Sequence, residues 1–204
     1  MTFDLIIRGG DVYDGSGGPP VVADIAINGD RIVEVGQIDP AVEAGHVLDA
    51  AGLAVAPGFI NMLSHSYVSI LADPRSLSEL KQGVTTQIFG EGSSMGPWDL
   101  AMRDRFNTNQ ARFGIEADWL RLSEYLAHCE KRGVSQNVAS YIGATTLRIR
   151  ACGYDDRPPT SKERDLMRGL VAEEMADGAL TIDTTSLPPS EAARKLLDHV
   201  DSLG

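Results

Sequence analysis

The chain has 204 residues, 43% of them hydrophobic and 23% charged, with a net charge of −11 from 18 basic and 29 acidic side chains. This is ordinary globular composition, which argues against disorder, and the length suits one good-sized domain or a lobe plus part of a larger one. No basic run occurs anywhere, so neither nucleic acid nor an anionic membrane surface is expected as a partner.

Residues 3–8 read as a short apolar strand broken by Gly9-Gly10, and residues 11–14 as a second, ending in the turn-rich run Gly15–Pro20. Residues 21–27 alternate, with Ile25 and Ile27 on one face and Asp24 opposite. Asn28-Gly29-Asp30 is a hairpin signal, and residues 31–35 form the returning strand. Residues 46–49 and 53–56 supply two more. Short strands with turns between them predict a small β-sandwich lobe over residues 1–57, with the boundary at Pro57-Gly58. Asp14, Asp24 and His46 in this lobe read as solvated or structural groups.

From Gly58 the pattern becomes strand then helix. Phe59-Ile60 leads into a polar segment with Asn61, Ser64, His65 and Ser66. Ser76–Glu79 has the capping-box form, and Gly83 is placed to end the helix it opens. Residues 84–89 (VTTQIF) are a parallel-strand candidate ending in the glycine-rich stretch 90–97, the start of a long excursion to Ile115. Asp118 is placed to cap a helix from Trp119 to about Lys131, with His128 off its apolar face. Residues 137–142 are the next strand, and Thr160–Glu163 is a second capping box. Residues 179–184 read as a strand ending in Thr184, Thr185 and Ser186, and Ser190 as the cap of a last helix. Strands near residues 59, 86, 139 and 181 alternate with helices, which implies a parallel α/β sheet with right-handed crossovers. Residues 58–204 thus read as about the first half of a (β/α)8 barrel, since a full one takes about 250 residues.

Cys129 and Cys152 lie far apart without C-x-x-C spacing, which fits free thiols in a reducing cytoplasm. The N-terminus has no signal-peptide pattern and no apolar run is long enough to span a membrane, so a soluble cytoplasmic protein is expected.

Residues 56–65, APGFINMLSH, are similar to the APGFID-x-H-x-H run that opens the catalytic barrel in the amidohydrolase superfamily. The stretches LIIRGGDVYDG (5–15), NGDRIVEVG (28–36) and LKQGVTTQIFGEG (80–92) resemble its N-acyl-D-amino-acid deacylase (D-aminoacylase) branch. The resemblance runs from residue 3 to about residue 187. It implies a hydrolase acting on a non-peptide carbon–nitrogen bond of a small N-acyl amino acid or related amide, with zinc activating the attacking water. It also implies that the chain is the front part of a longer protein.

Carried over residue by residue, the resemblance leaves an incomplete site. His65 matches the second histidine of the motif, whereas Leu63 stands where the first belongs and Asn61 where the aspartate belongs. The branch has a G-N-C-G run whose cysteine is a ligand; here the run is Gly90-Glu91-Gly92-Ser93, and Glu91 is the nearest ligand-capable group. The metal candidates are therefore His65 and Glu91, and Ser64, Ser93 and Ser94 are expected to line a pocket. Two ligands fall short of the three that a catalytic zinc requires. The alternative is a non-catalytic fragment of the same fold, acting as a binding or assembly module that forms oligomers through open sheet edges.

Overall fold

The computed structural model describes residues 2–178. The predicted strand and helix beyond Gly178, with Thr184, Thr185, Ser186 and His199, lie outside the described residues. The chain is mixed α/β and divides after Gly58 into two compact units.

In the first unit, strands β1 (Phe3–Val12), β2 (Val21–Asn28), β3 (Arg31–Gly36) and β4 (Ala44–Asp49) form a sheet in the order β3-β2-β1-β4, and the short β5 (Ala54–Val55) also pairs with β1. The β2–β3 hairpin turns where Asn28-Gly29-Asp30 predicts it, with Gly29 at φ +58°. The expected break at Gly9-Gly10 is instead a bulge within one ten-residue strand. Gly9 takes φ +66°, so the strand bends without losing its pairing. A small core of Ile6, Ala26 and Ile38 closes one face. On the other, Leu48, Ile7, Ile25 and Val35 fall in one cross-strand row, and Val35 and Leu48 stay more than half exposed.

Asp24 is not the solvated carboxylate its turn-rich surroundings suggest. It pairs with Arg8 at 2.9 Å and accepts from the backbone N–H of Gly9 (2.8 Å) and Ile38 (3.2 Å), fixing the bulge and the loop after β3. Burial pushes its carboxyl up, but the Gly9, Arg8 and Ile38 donors outweigh this and hold it below the usual range.

The second unit contains a parallel sheet β6-β7-β8: β6 (Phe59–Asn61), β7 (Val84–Phe89) and β8 (Asn137–Ser140). Between β6 and β7 run two one-turn helices, α1 (Ser69–Ala72) and α2 (Leu77–Leu80). The Ser76 capping box does not form. Ser76 adopts a left-handed conformation, its hydroxyl accepts from Gln87 Nε2 (3.1 Å), and the Glu79 carboxylate faces Asn61 Nδ2.

Between β7 and β8 the supposed irregular excursion holds a helix, α3 (Leu100–Gln110), capped by Asp99, whose carboxylate accepts from Met102 N. No α3 residue is buried, which explains why no apolar stripe announced it. Helix α4 (Leu122–Arg132) starts three residues later than predicted, with Arg121 rather than Asp118 at its N-cap. The Glu124 carboxylate takes the Leu120 and Arg121 N–H groups there, and Trp119 is free to enter the core. Gly133 ends α4 at φ +74°, as its position predicts.

After β8 comes helix α5 (Ala144–Cys152), which Cys152 ends. Helix α6 (Ser161–Ala176) carries the predicted Thr160/Glu163 capping box. Of its apolar side chains only Leu170 is buried, while Leu166 and Met175 are exposed. Both cysteines are free and buried. Among the described residues no helix is long and apolar enough to cross a membrane.

Replacing Asp24 by Asn should destabilise the full chain by about 1–3 kcal/mol at neutral pH, because buried donors lose a charged acceptor. The depressed Asp24 carboxyl stabilises the fold above the ordinary carboxylate range, and that contribution is lost as pH falls through its folded value. Urea denaturation against pH should show a loss of stability on acidification in the wild type that is smaller in Asp24→Asn.

Candidate functional site

Because β6, β7 and β8 run parallel, the loops that leave them start from one edge of the sheet, the edge at which open α/β sheets hold their ligands. The segments there are residues 62–66 after β6, 90–99 after β7 and 141–146 after β8. Backbone bonds knit them together: Ser64 N–H donates to Ile88 O, Tyr141 N–H to Phe89 O and Thr145 N–H to Gly92 O, all within 2.9 Å.

Ser64 and Ser94 are buried at 4% exposure, and both are occupied by structural bonds. Ser64 Oγ donates to Gln87 Oε1 at 2.7 Å, and Gln87 Nε2 donates to Ser76 Oγ and Gln136 Oε1. This relay satisfies a fully buried amide inside β7. Sequence reading missed Gln87, although a glutamine in the otherwise β-branched and apolar VTTQIF was the available signal.

Ser94 fastens the β7 loop to the start of α5. Its Oγ accepts from Gly143 N (2.9 Å) and donates to Gly96 O, and its N–H donates to Thr146 Oγ1 (2.8 Å). Its carbonyl accepts from Thr146 Oγ1 and from the Trp98 indole. The fit is tight: Gly90 sits at φ +87°, and a Cβ there would collide with Tyr141 O, while one at Gly143 would meet Gly92 O. Ser93 is exposed beside this fastening, and with Ser94 it borders a cleft of about 200 Å3 that Ser64 does not reach.

His65 and Glu91, the two metal candidates, are both exposed on the loops after β6 and β7. Leu63 is 53% exposed and Asn61 is a neutral amide, so neither adds a ligand beside His65. Among the described residues no three His, Cys, Asp or Glu side chains come together as a metal-holding group. The donor set present does not fit a catalytic zinc. His128 is half-buried rather than exposed, its ring 4.9 Å from that of Trp119 and its Nδ1 4.0 Å from Asp118. It belongs to the packing of α4.

An α/β chain whose candidate site lies on the loops leaving parallel strands is of the general class to which barrel hydrolases belong. No protein-family model matches the chain. It is 38% identical, over 93% of its length, to an N-acyl-D-aspartate deacylase of Alcaligenes xylosoxydans xylosoxydans, of which it covers 38%. It is 34% identical to a D-aminoacylase of the same organism, over 98% of this chain and 41% of that one. Among solved structures, an N-acyl-D-glutamate deacylase from Bordetella bronchiseptica, complexed with zinc and a phosphonate inhibitor, superimposes with a TM-score of 0.76 at 29% identity. That match covers 88% of this chain and 37% of the other. A D-aminoacylase with a binuclear metal centre gives 0.75 at 30% identity, over 97% and 44%. The chain is thus homologous over nearly all its length to N-acyl-D-amino-acid deacylases, amidohydrolases of the D-aminoacylase type, and spans about two-fifths of the length of these relatives.

Removing the Ser94 hydroxyl leaves the buried Gly143 N–H without an acceptor. Ser94→Ala should therefore cost about 1–3 kcal/mol in thermal or urea unfolding. The exposed neighbour Ser93→Ala should stay within about 0.5 kcal/mol of wild type.

Proposed function

We propose that this chain supplies the lobe and the opening strands of an amidohydrolase-type hydrolase resembling the N-acyl-D-amino-acid deacylases. The whole protein would cleave the carbon–nitrogen bond of a small N-acyl amino acid, with water attacking the acyl carbon. The single observation that carries this reading is the homology to named deacylases over 93% of the chain. In this reading residues 1–57 are one layer of a β-sandwich lobe, and residues 58–204 are part of a (β/α)8 barrel. The exposed row of Val35 and Leu48 beside Ile7 and Ile25 supports a sandwich, because an apolar sheet face calls for a second layer. The parallel β6-β7-β8 order with intervening helices supports the barrel. The two buried free thiols suit a reducing cytoplasm.

Of the proposed site residues, Ser93 and Ser94 keep the pocket role and Ser64 holds the Gln87 relay. His65 and Glu91 remain the ligand-capable groups on the strand-end loops, short of a full set. A second reading, a non-catalytic binding or assembly module, is favoured by Leu63 in place of the first histidine, Asn61 in place of the aspartate, and the absence of a cysteine in Gly90-Glu91-Gly92-Ser93. Among the described residues β3 and β4 end the sheet order, and their outer edges with the exposed Val35 and Leu48 would then serve self-association.

Metal content separates the readings. Under the hydrolytic reading the wild-type chain, loaded with zinc and desalted, should retain metal; less than about 0.1 equivalent would remove the metalloenzyme version and leave the assembly reading. Leu63→His combined with Gly92→Cys should raise retained zinc at least about tenfold, since Leu63 is exposed and nothing crowds Gly92. If that variant keeps the wild-type circular dichroism yet gains no zinc, these loops are not arranged as a deacylase metal site. A stable monomer in size-exclusion chromatography with light scattering would remove the assembly reading.

A further inference from the structure

The hydrolytic reading gives Ser93 and Ser94 a lining role in the cleft of about 200 Å3 but assigns nothing to its aromatic and cationic side chains. Its lining includes Trp98, Phe106, Met102 and Tyr154, with the Ser93 hydroxyl and the Arg105 side chain among them. Trp98 is held in place by its indole bond to Ser94 O and by ring contacts with Phe106 (5.0 Å) and Trp119 (6.3 Å). This wall is preformed rather than mobile side-chain surface.

Arg105 is the cationic side chain of this lining. The protein has 29 acidic side chains against 18 basic ones, and neighbouring arginines find carboxylates: Arg103 pairs with Asp104, and Arg150 with Asp99. No carboxylate among the described residues pairs with Arg105, whose guanidinium lies over the Tyr154 ring at 4.6 Å. Stacking on an aromatic plane orients a guanidinium and leaves its N–H edge available, the geometry that accepts a carboxylate bidentately. The volume lies below the roughly 300–1,000 Å3 typical of drug-sized ligands, which restricts the occupant to a small molecule.

We propose that this cleft binds a small monocarboxylate with a flat apolar body, of the arylacetate class. The carboxylate meets Arg105 and the body lies against Trp98 and Phe106. The site needs no metal and neither His65 nor Glu91, although it shares Ser93 and Ser94 with the pocket of the hydrolytic reading.

Phenylacetate and its neutral isostere phenylacetamide test the proposal on the full chain by two-dimensional NMR, followed through the Trp98 indole N–H. Phenylacetate up to about 10 mM should shift that signal saturably, with phenylacetamide at least about tenfold weaker. Arg105→Gln, an exposed position, should abolish the preference and leave both probes equally weak. Arg105→Lys should retain part of it, because charge remains while the fork is lost. Equal binding of acid and amide by the wild type, an undiminished preference in Arg105→Gln, or no saturable shift would each overturn the proposal. None of these outcomes bears on deacylation, since neither probe is an N-acyl amino acid.

Discussion

The second unit depends on how one buried serine spends its hydrogen bonds. Ser94 joins the loop leaving β7 to the first turn of α5 through Gly143 and Thr146, and presents its carbonyl to the Trp98 indole. Trp98 then anchors a chain of ring contacts through Trp119 to Tyr125, and from Tyr125 to Phe89 at the end of β7. Loop, helix start and aromatic core are therefore one cooperative assembly, and a polar side chain inside such an assembly is strongly favourable only because every bond is made. The same reasoning makes Ser94 unsuited to nucleophilic chemistry.

Among the described residues the strand-end loops do not bring together the donors that a catalytic zinc requires. Loops 62–66 and 90–99 start from adjacent parallel strands, yet the ligand-capable side chains they offer are two exposed groups, His65 and Glu91, with Leu63 and Gly92 contributing none. Strand register does not depend on such exposed loop residues, because it is set by backbone pairing and by Ile88 and Phe89, buried on opposite faces of β7. Homology at 38% identity with an incomplete ligand set is what that separation allows.

Several elements were legible in sequence because their signals are local. The Gly29 hairpin, the β-branched run of β7, the Thr160 capping box and the Gly133 stop each appear where the residues place them. Others failed because a distant partner intervened. Ser76 gave up its cap to Gln87, eleven residues on in another element. Asp24 was drawn from solvent into the Arg8 pair. Helix α3 buries none of its residues, so hydrophobic periodicity had nothing to report, and only Asp99 as its cap marked its start.

The sequence by itself determined the alternation of strands and helices, the division near Pro57-Gly58 as an expectation, the deacylase resemblance, and the departures from its motif at Leu63 and Asn61. These follow from residue identity and short-range spacing. Only the tertiary structure decided that Ser64 and Ser94 are structural bonds, that Gln87 is a fully satisfied buried amide, and that Arg105 borders an aromatic cleft. Those roles depend on groups brought together from separate elements, up to 52 residues apart in the case of Ser94 and Thr146, and no local pattern encodes which polar group will meet which.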